Sequence, residues 1–223
     1  MSTVLGLVLC GGESRRMGKD KAQLDLAGTS MIRRALDVIE PLADELVLGT
    51  GKAARYKELG LHCVLDSIED AGPLAGLCAG LELAEQRGHE WLTIIACDTP
   101  RLDASLYRVL LETARKKSAD ACMLRSASGV EPLCAVYRVT CLASVRDSLA
   151  SGQRKLIAFH GAVDIAFVTE ADLPERLQGA DLSFNVNTPQ ELEAERKRLA
   201  SQNSTDLARQ KKRPTPASAE SIA

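Results

Sequence analysis

Short aliphatic and β-branched runs alternate along this chain with longer runs whose apolar residues recur at three-and-four spacing. The short runs have the length of strands, and the longer runs have the period of helices that bury one face. The predicted strands are Val4 to Leu9, Glu45 to Leu48, Cys63 to Leu65, Trp91 to Ala96, Asp120 to Leu124, Leu133 to Tyr137 and Val163 to Phe167. The predicted helices are Met31 to Ile39, Pro73 to Gln86, Ala104 to Lys116 and Cys141 to Ala150. This order is typical of βαβ units, so we expect an α/β fold with a mostly parallel, Rossmann-like sheet and helices on both faces.

Three helix starts carry a local signal. Thr29-Ser30 supplies a capping hydroxyl ahead of the first predicted helix. Pro73 suits the first turn of the second, where its missing N–H costs nothing. Thr188-Pro189 combines both signals and predicts a further helix near the end of the chain.

The C-terminal segment differs in composition from the rest. Residues 201–223 are rich in Ser, Gln, Lys, Pro and Ala, with Leu207 and Ile222 as the large aliphatic side chains. Such a segment has too little apolar surface to offset the entropy of ordering. We expect one folded domain over residues 1–200 and a disordered tail over residues 201–223.

Composition and charge narrow the class of protein. The 223 residues are 45% apolar and 26% charged, and the formal net charge is -2. Nucleic-acid binding depends on a positive surface that neutralises phosphates, so we expect no nucleic-acid partner. No apolar run reaches the roughly 18 to 20 residues that cross a bilayer, so we expect no membrane span.

The seven cysteines are scattered, and none forms a C-x-x-C pair. Most lie inside apolar runs, which predicts buried thiols. The odd count and the absence of a secretory leader before the first predicted strand indicate a reducing compartment. We therefore expect a cytoplasmic protein.

A glycine-rich, basic segment follows the first strand. Gly11 and Gly12 allow the backbone to approach a ligand closely, and their amides can form an anion-holding concavity. Arg15, Arg16, Lys19 and Lys21 add cationic donors. The segment fits neither the Walker A pattern nor G-x-G-x-x-G. It predicts a triphosphate site, and the alternative is an ordinary strand-to-helix turn with a solvated basic loop.

The run from Leu9 to Lys21 reads L-x-G-G-x-S-x-R-M-G-x-D-K. It resembles the signature of the molybdenum cofactor guanylyltransferases, a branch of the nucleotidyltransferase superfamily. Asp20-Lys21 favours this branch over relatives that transfer CMP, which generally lack the aspartate. Four later motifs stand in the family's order, and the resemblance covers residues 4 to 195. These motifs are Gly72-Pro73-Leu74-Ala75-Gly76, Cys97-Asp98-Thr99-Pro100, Glu131-Pro132-Leu133 and Asn185-Val186-Asn187-Thr188-Pro189.

The resemblance implies a magnesium-dependent enzyme that transfers GMP from GTP to the terminal phosphate of molybdopterin, with pyrophosphate as the second product. It implies that GTP is contacted by Leu9, Cys10, Gly11, Gly12, Lys21, Asp66 and Asp98. It implies that the molybdopterin side of the cleft is formed by Gly72, Gly76, Asn185 and Asn187. The implied catalytic residues are Arg16, Lys21 and Asp98, with Asp98 as the Mg²⁺ ligand.

The residues by themselves leave other roles open for these positions. Asp98 follows a predicted strand directly, where open parallel sheets bind their ligands, but a helix cap near Pro100 would place an aspartate there too. Asp66 also ends a predicted strand and could cap a loop. Asn185 and Asn187 offer paired amide groups to a heterocycle, or they form the turn before the last helix.

Gly49 is a departure from the family pattern. After the predicted strand Glu45 to Leu48, the best-studied branch would place an asparagine that contacts the nucleotide base. Either the backbone or the neighbouring Thr50 replaces that contact, or base selectivity is weaker or different. Guanine preference is therefore less secure than nucleotidyl transfer.

The alternatives are a related nucleotidyltransferase that uses CTP or a sugar-phosphate acceptor, a non-catalytic GTP-binding module, and a structural or interaction domain. The labile product of the first function implies handoff to molybdoenzyme insertion chaperones. We expect a monomer or a weak homo-oligomer.

Overall fold

The computed structural model describes residues 3–11, 20–66, 68 and 72–211, and it describes only the backbone from residue 203 onward. The strands are β1 (Val4–Leu9), β2 (Asp25–Leu26), β3 (Thr29–Ser30), β4 (Glu45–Gly51), β5 (His62–Leu65), β6 (Trp91–Ala96), β7 (Ala121–Ser126), β8 (Gly129–Arg138) and β9 (Ile165–Val168). The helices are α1 (Met31–Ile39), α2 (Pro73–Gln86), α3 (Ala104–Lys117), α4 (Leu142–Ala150) and α5 (Pro189–Lys211). None of these helices is long and apolar enough to span a membrane.

Seven of the strands form one sheet in the order β5-β4-β1-β6-β8-β7-β9. β1 pairs in parallel with β4 and β6, and β5 and β9 also pair in parallel with their neighbours. β8 is antiparallel to both β6 and β7 because a tight hairpin returns the chain directly after β7. The predicted α/β fold with a mostly parallel sheet is confirmed.

Alternation along β1 divides the core between the two faces of the sheet, since successive side chains of a strand point to opposite sides. Val4 and Val8 pack with residues of α1 and α3. Leu5 and Leu7 pack with residues of α2 and α4 on the other face. The helices therefore cover both faces, and they leave the carboxyl edge of the sheet open.

The local signals in the sequence set the helix starts. Ser30 caps α1 by accepting a hydrogen bond from the Arg33 amide, and Pro73 lies in the first turn of α2. Thr188 accepts from the amide of Glu191 at the start of α5, at 3.2 Å. Short-range capping chemistry is therefore sufficient to place these boundaries.

Some predicted boundaries differ from the structure. Helix α4 begins at Leu142, because Cys141 belongs to a preceding 3-10 turn. β4 continues through Thr50 to Gly51, and the two-residue strands β2 and β3 were not predicted. They are joined by Ala27 and Gly28, both at positive φ, in a turn too short to produce a hydrophobic period.

Helix α5 extends beyond the expected domain boundary. It continues through Ser201 to Lys211, into the segment whose composition predicts disorder. Leu, Ala, Arg, Gln and Lys are good helix formers, so this segment can extend an existing helix without supplying a core. The domain limit at residue 200 stays a prediction, and residues 212–223 lie outside the described part of the chain.

A buried ionic cluster attaches α5 to the domain. The side chain of Glu195 is fully buried and accepts hydrogen bonds from Arg101 and Arg198, at 2.8 Å and 2.6 Å for the shortest contact of each. Burial acts to raise the pKa of Glu195, but its contacts with Arg198 and Arg101 outweigh burial, so the pKa is lowered. Arg101 also lies over the ring of Phe184, 3.9 Å from its centre.

Replacement of Glu195 by alanine should lower the free energy of unfolding by about 3 kcal/mol, because it leaves two arginines without their shared partner. Urea denaturation at pH 7 measures the change. Glu193→Ala is the matched control, since Glu193 on the same helix is exposed and lies 3.8 Å from Arg196. That variant should change stability by no more than about 0.5 kcal/mol. Equal losses in the two variants would show that the cluster does not hold α5.

Candidate active site

A cleft of about 400 Å³ opens at the carboxyl edge of the sheet. The ends of β1, β4 and β6 meet there, which is the position where open α/β sheets bind ligands. The cleft is lined by Leu9, Cys10, Gly11, Asp20, Lys21, Ala22, Gly49, Gly51, Asp66, Gly72, Pro73, Gly76, Ala96, Cys97, Asp98 and Leu133. Its lining therefore includes three carboxylates and one ammonium group.

Glycines bring the backbone of neighbouring strands together at the base of the cleft. A Cβ atom on Gly11 would lie 2.8 Å from the backbone nitrogen of Gly51 and 3.0 Å from the carbonyl carbon of Thr50. Backbone atoms in a sheet cannot move aside cheaply, so this position requires glycine. The amides of Cys10 and Gly11 both donate to the Gly49 carbonyl at 2.9 Å, which fixes the exit of β1 against β4.

Lys21 places its ammonium between two segments that are far away in the sequence. Its Nζ donates to Oδ1 of Asn187 at 2.7 Å and lies 3.8 Å from Oδ2 of Asp98. The amide of Val186 donates to the carbonyl of Asp98 at 2.9 Å, so the turn before α5 is attached to the same segment. The cation, the carboxylate and the amide thus form one connected group.

Asp98 follows β6 in a turn, and its side chain is 29% exposed. Burial raises the pKa of Asp98, and the ammonium of Lys21 lowers it only in part. The neighbouring backbone is fixed, because the Cys97 amide donates to the Leu9 carbonyl at 3.0 Å. A partly desolvated carboxylate of this kind favours the approach of a cation.

Asp66 lies on the same cleft beyond β5, and burial raises its pKa also. Its amide donates to the carbonyl of Gly51 at 3.0 Å. A Cβ on Gly76 of helix α2 would lie 3.0 Å from Leu9 Cδ2 and 3.7 Å from Oδ1 of Asp66. A side chain at position 76 would therefore crowd Leu9 and would come into ordinary contact with this carboxylate.

The N-terminus of α2 opens onto the cleft. Gly72 caps the helix with a φ of 67°, which favours glycine, and Pro73 forms its first turn. A helix N-terminus carries partial positive charge and attracts anions. This end of the cleft therefore suits a phosphate group.

Two cleft cysteines are unreactive at neutral pH. Burial raises the pKa of Cys10 to about 12, and burial also raises the pKa of Cys97. Their thiols stay protonated and serve as small apolar side chains.

The family model for the MobA-like NTP transferase domain matches residues 6–174, which include every residue that lines the cleft. Asn187 lies beyond the matched residues. The chain belongs to the MobA-like NTP transferase family. The predicted class, a nucleotidyltransferase that resembles the molybdenum cofactor guanylyltransferases, is confirmed.

The sequences of relatives within the family align with most of this chain. The molybdenum cofactor guanylyltransferase of Desulfosudis oleivorans is 35% identical over 200 residues, which cover 86% of this chain and 94% of the relative. That of Pseudomonas putida is also 35% identical, over 67% of this chain and 78% of the relative. The crystal structure of molybdopterin-guanine dinucleotide biosynthesis protein A from Archaeoglobus fulgidus has the same fold, with a TM-score of 0.69 at 22% identity. The match covers 88% of this chain and 99% of the other.

The structure brings together most of the residues that the family resemblance implies. The cleft is lined by Leu9, Cys10, Gly11, Lys21, Asp66, Asp98, Gly72 and Gly76 from that set. Asn187 contacts Lys21. Asn185 is exposed and is not among the residues that line the cleft. Gly12 and Arg16 lie outside the described residues. No local pattern predicts the contact between Asn187 and Lys21, because the two residues lie 166 positions apart in the chain.

The asparagine that the family resemblance implies at position 49 would meet the side chains of Leu9 and Leu7. A Cβ on Gly49 would lie 2.5 Å from Leu9 Cδ2 and 3.3 Å from Leu7 Cδ1, so an asparagine would displace Leu9. The side chain of Thr50 is buried and does not line the cleft. Thr50 therefore does not replace the missing asparagine on this surface, and Gly49 contributes backbone alone.

Asp98→Asn should raise the free energy of unfolding of the ligand-free protein at pH 7, because the native environment raises the pKa of Asp98. A carboxyl group with a raised pKa in the folded state destabilises the fold at a pH above that pKa. The effect vanishes at a pH below the pKa of the unfolded state, which is near 3.8. The gain should therefore shrink as the pH falls toward that value. Urea denaturation over this pH range measures it.

Asp103→Asn is a control variant whose stability at pH 7 should change in the opposite direction. Arg176 lowers the pKa of Asp103 to about 2 through hydrogen bonds, and asparagine preserves the cap of α3. This variant should lose stability at pH 7, and the loss should shrink as the pH falls from 3.8 toward 2. If Asp98→Asn destabilised the protein in the same way, the ion pair with Lys21 would outweigh the cost of burial.

Proposed function

We propose that this protein transfers GMP from GTP to the terminal phosphate of molybdopterin, forming the guanine dinucleotide cofactor and releasing pyrophosphate. The observation that carries the proposal is the opposed pair of Lys21 and Asp98 beside the glycine-lined backbone of Gly11, within a family of nucleotidyltransferases. The relatives are named molybdenum cofactor guanylyltransferases, which supports guanylyl transfer to that cofactor.

The reaction needs alignment more than proton transfer. A phosphate monoester has a second pKa near 6, so the acceptor is already an anionic nucleophile at pH 7. Its oxygen forms a bond to the α-phosphorus of GTP as the bond to pyrophosphate breaks. Lys21 stabilises negative charge on the phosphates, and Asn187 and Asp98 hold its ammonium in the cleft.

The two substrates divide the cleft between them. We assign Leu9 to Gly11 and Asp66 to GTP, and Gly72 and Gly76 of the N-terminal part of α2 to molybdopterin. Gly76 lies against Leu9 and Asp66, so it marks where the two substrates would meet. The contact of Asn187 with Lys21 assigns it to the phosphates as well as to the acceptor. Gly12 and Arg16 keep their proposed roles at the triphosphate.

The donor set suits a divalent cation, Mg²⁺, held by Asp98. No group of three or more His, Cys, Asp or Glu side chains in the described part of the chain could hold a metal alone. Magnesium binds through one or two carboxylates together with water and substrate phosphates, so a single desolvated aspartate beside a triphosphate is sufficient. When bound, the ion would neutralise charge on the phosphates. The cytoplasmic location, the monomeric or weakly oligomeric state and handoff to insertion chaperones stay predictions.

Asp98→Ala and Lys21→Ala should each reduce pyrophosphate release by about a hundredfold or more, because each removes an electrostatic stabiliser of the transferring phosphate. The assay contains GTP, Mg²⁺ and molybdopterin, and circular dichroism checks the fold. Asp37→Ala and Lys197→Ala make the same changes at exposed positions of α1 and α5 and should leave the rate unchanged.

A thermal shift supplies a second readout for the metal. Mg²⁺ added with GTP should raise the Tm of the wild type more than GTP alone, and Asp98→Ala should abolish that increment. Near wild-type transfer by either cleft variant would show that its role is assigned wrongly.

Cytidylyl transfer is a specific alternative to guanylyl transfer, because Gly49 lacks a side chain that would contact the nucleotide base. We expect pyrophosphate release with GTP and none with CTP, ATP or UTP when each is offered separately with Mg²⁺ and molybdopterin. Release with CTP alone would move the chain to cytidylyl transfer. If none of the four nucleotides led to pyrophosphate release, the proposed function would be contradicted. A nucleotide-binding module or an enzyme with a different acceptor would then remain.

A further inference from the structure

Asp20 immediately precedes Lys21, and its carboxylate is held by two side chains from another part of the chain. The Tyr56 hydroxyl donates to it at 2.9 Å and 3.0 Å from the two oxygens. The guanidinium of Arg55 makes a close ion pair with Oδ2. The two partners belong to the segment that follows β4.

The same carboxylate also shapes the backbone of Lys21. Oδ1 of Asp20 accepts from the Ala22 amide at 3.1 Å and caps the 3-10 turn Lys21–Gln23. Lys21 is the first residue of that turn, so the direction in which its side chain leaves the backbone depends on the cap. Ala22 itself is buried, which keeps the turn from shifting along the surface.

The partners are themselves held firmly. Tyr56 is 5% exposed and has a φ of 59°, a left-handed conformation that a tyrosine adopts only where its surroundings enforce it. Arg55 lies over the Tyr56 ring, 4.9 Å from its centre, and its carbonyl accepts from the Cys63 thiol at 3.2 Å. The Tyr56 hydroxyl also lies 3.5 Å from the carbonyl of Cys10 at the end of β1.

We propose that Asp20, Arg55 and Tyr56 form a latch that sets the position of Lys21 in the cleft. They are positioning residues, since none is assigned a contact with the reacting phosphates. On this interpretation Asp20 is present in the motif because one carboxylate must cap the turn and bind both a phenol and a guanidinium. The inference rests on the proposed function for its kinetic consequence, whereas its structural part concerns Lys21 alone.

The latch acts by aligning Lys21 with the transferring phosphate. A positioned cation is effective only when it lies at the transferring phosphate, and a displacement of about 1 Å can reduce a rate by about a hundredfold. Asn187 and Asp98 hold the ammonium end of Lys21, and the latch holds its backbone end. With the latch opened, the flexible lysine stem would no longer be fixed at both ends.

The test uses Tyr56→Phe, which removes one hydroxyl, and Asp20→Asn, which retains a capping oxygen but removes the charge that pairs with Arg55. Each should reduce kcat for pyrophosphate release by about tenfold. Tyr107→Phe is the matched control, because Tyr107 is an equally buried tyrosine whose hydroxyl donates to the Ile94 carbonyl at 3.1 Å. It should leave kcat unchanged.

A double-variant comparison separates positioning from a general structural effect. In a Lys21→Ala background, Tyr56→Phe should cause no further loss of rate, because the residue through which it acts is absent. An additional tenfold loss in that background, or no loss in the wild-type background, would overturn the proposal.

A readout independent of catalysis distinguishes failure of this inference from failure of the proposed function. The rate at which acetic anhydride modifies Lys21, followed by peptide mass spectrometry, should rise several-fold in Tyr56→Phe and Asp20→Asn, and it should stay at the wild-type rate in Tyr107→Phe. If Lys21 is modified faster in these two variants and the wild type releases no pyrophosphate, the result would support the latch and contradict the proposed function. Unchanged modification would overturn the latch whatever the activity.

Discussion

The contact of the Lys21 ammonium with Asp98 and Asn187 joins three parts of the chain that are distant in sequence. Lys21 follows the first strand, Asp98 follows β6, and Asn187 precedes α5. The hydrogen bond from Val186 to the Asp98 carbonyl and the buried Glu195 cluster keep the last of these parts in place. The arrangement of the cleft therefore depends on α5 being attached to the turn after β6. The buried Leu192 of α5 belongs to a small cluster with Leu26 and Met31, separate from the two core clusters of the sheet.

The cleft carries an electrostatic cost that its ligands would relieve. Asp66 and Asp98 are both partly desolvated, and both have raised pKa values. Such carboxylates reduce the stability of the ligand-free protein, as functional sites commonly do. A divalent cation that arrives with a triphosphate would compensate them. These raised pKa values support the proposed binding of a triphosphate together with a divalent cation.

Glycine gives this cleft its shape. At Gly11 the constraint is the backbone of β4, and at Gly49 and Gly76 it is the side chain of Leu9. Leu9 lies between these two glycines, so a change at either would be transmitted to the other through one side chain. The asparagine that the family resemblance implies at position 49 would therefore affect the packing of Leu9 as well as a base contact.

The sequence by itself determined the elements whose signals are local. β1, β6, α1 and α2 have the predicted limits, because hydrophobic period and capping residues act within a few positions. The motif from Leu9 to Lys21 likewise indicated the family, and Asp98 was placed at the carboxyl end of its strand. The tertiary structure decided the antiparallel course of β8, the partners of Lys21 and Asp20, and the exposure of Asn185. These features depend on which distant segments pack together and in which register, and no local propensity specifies that.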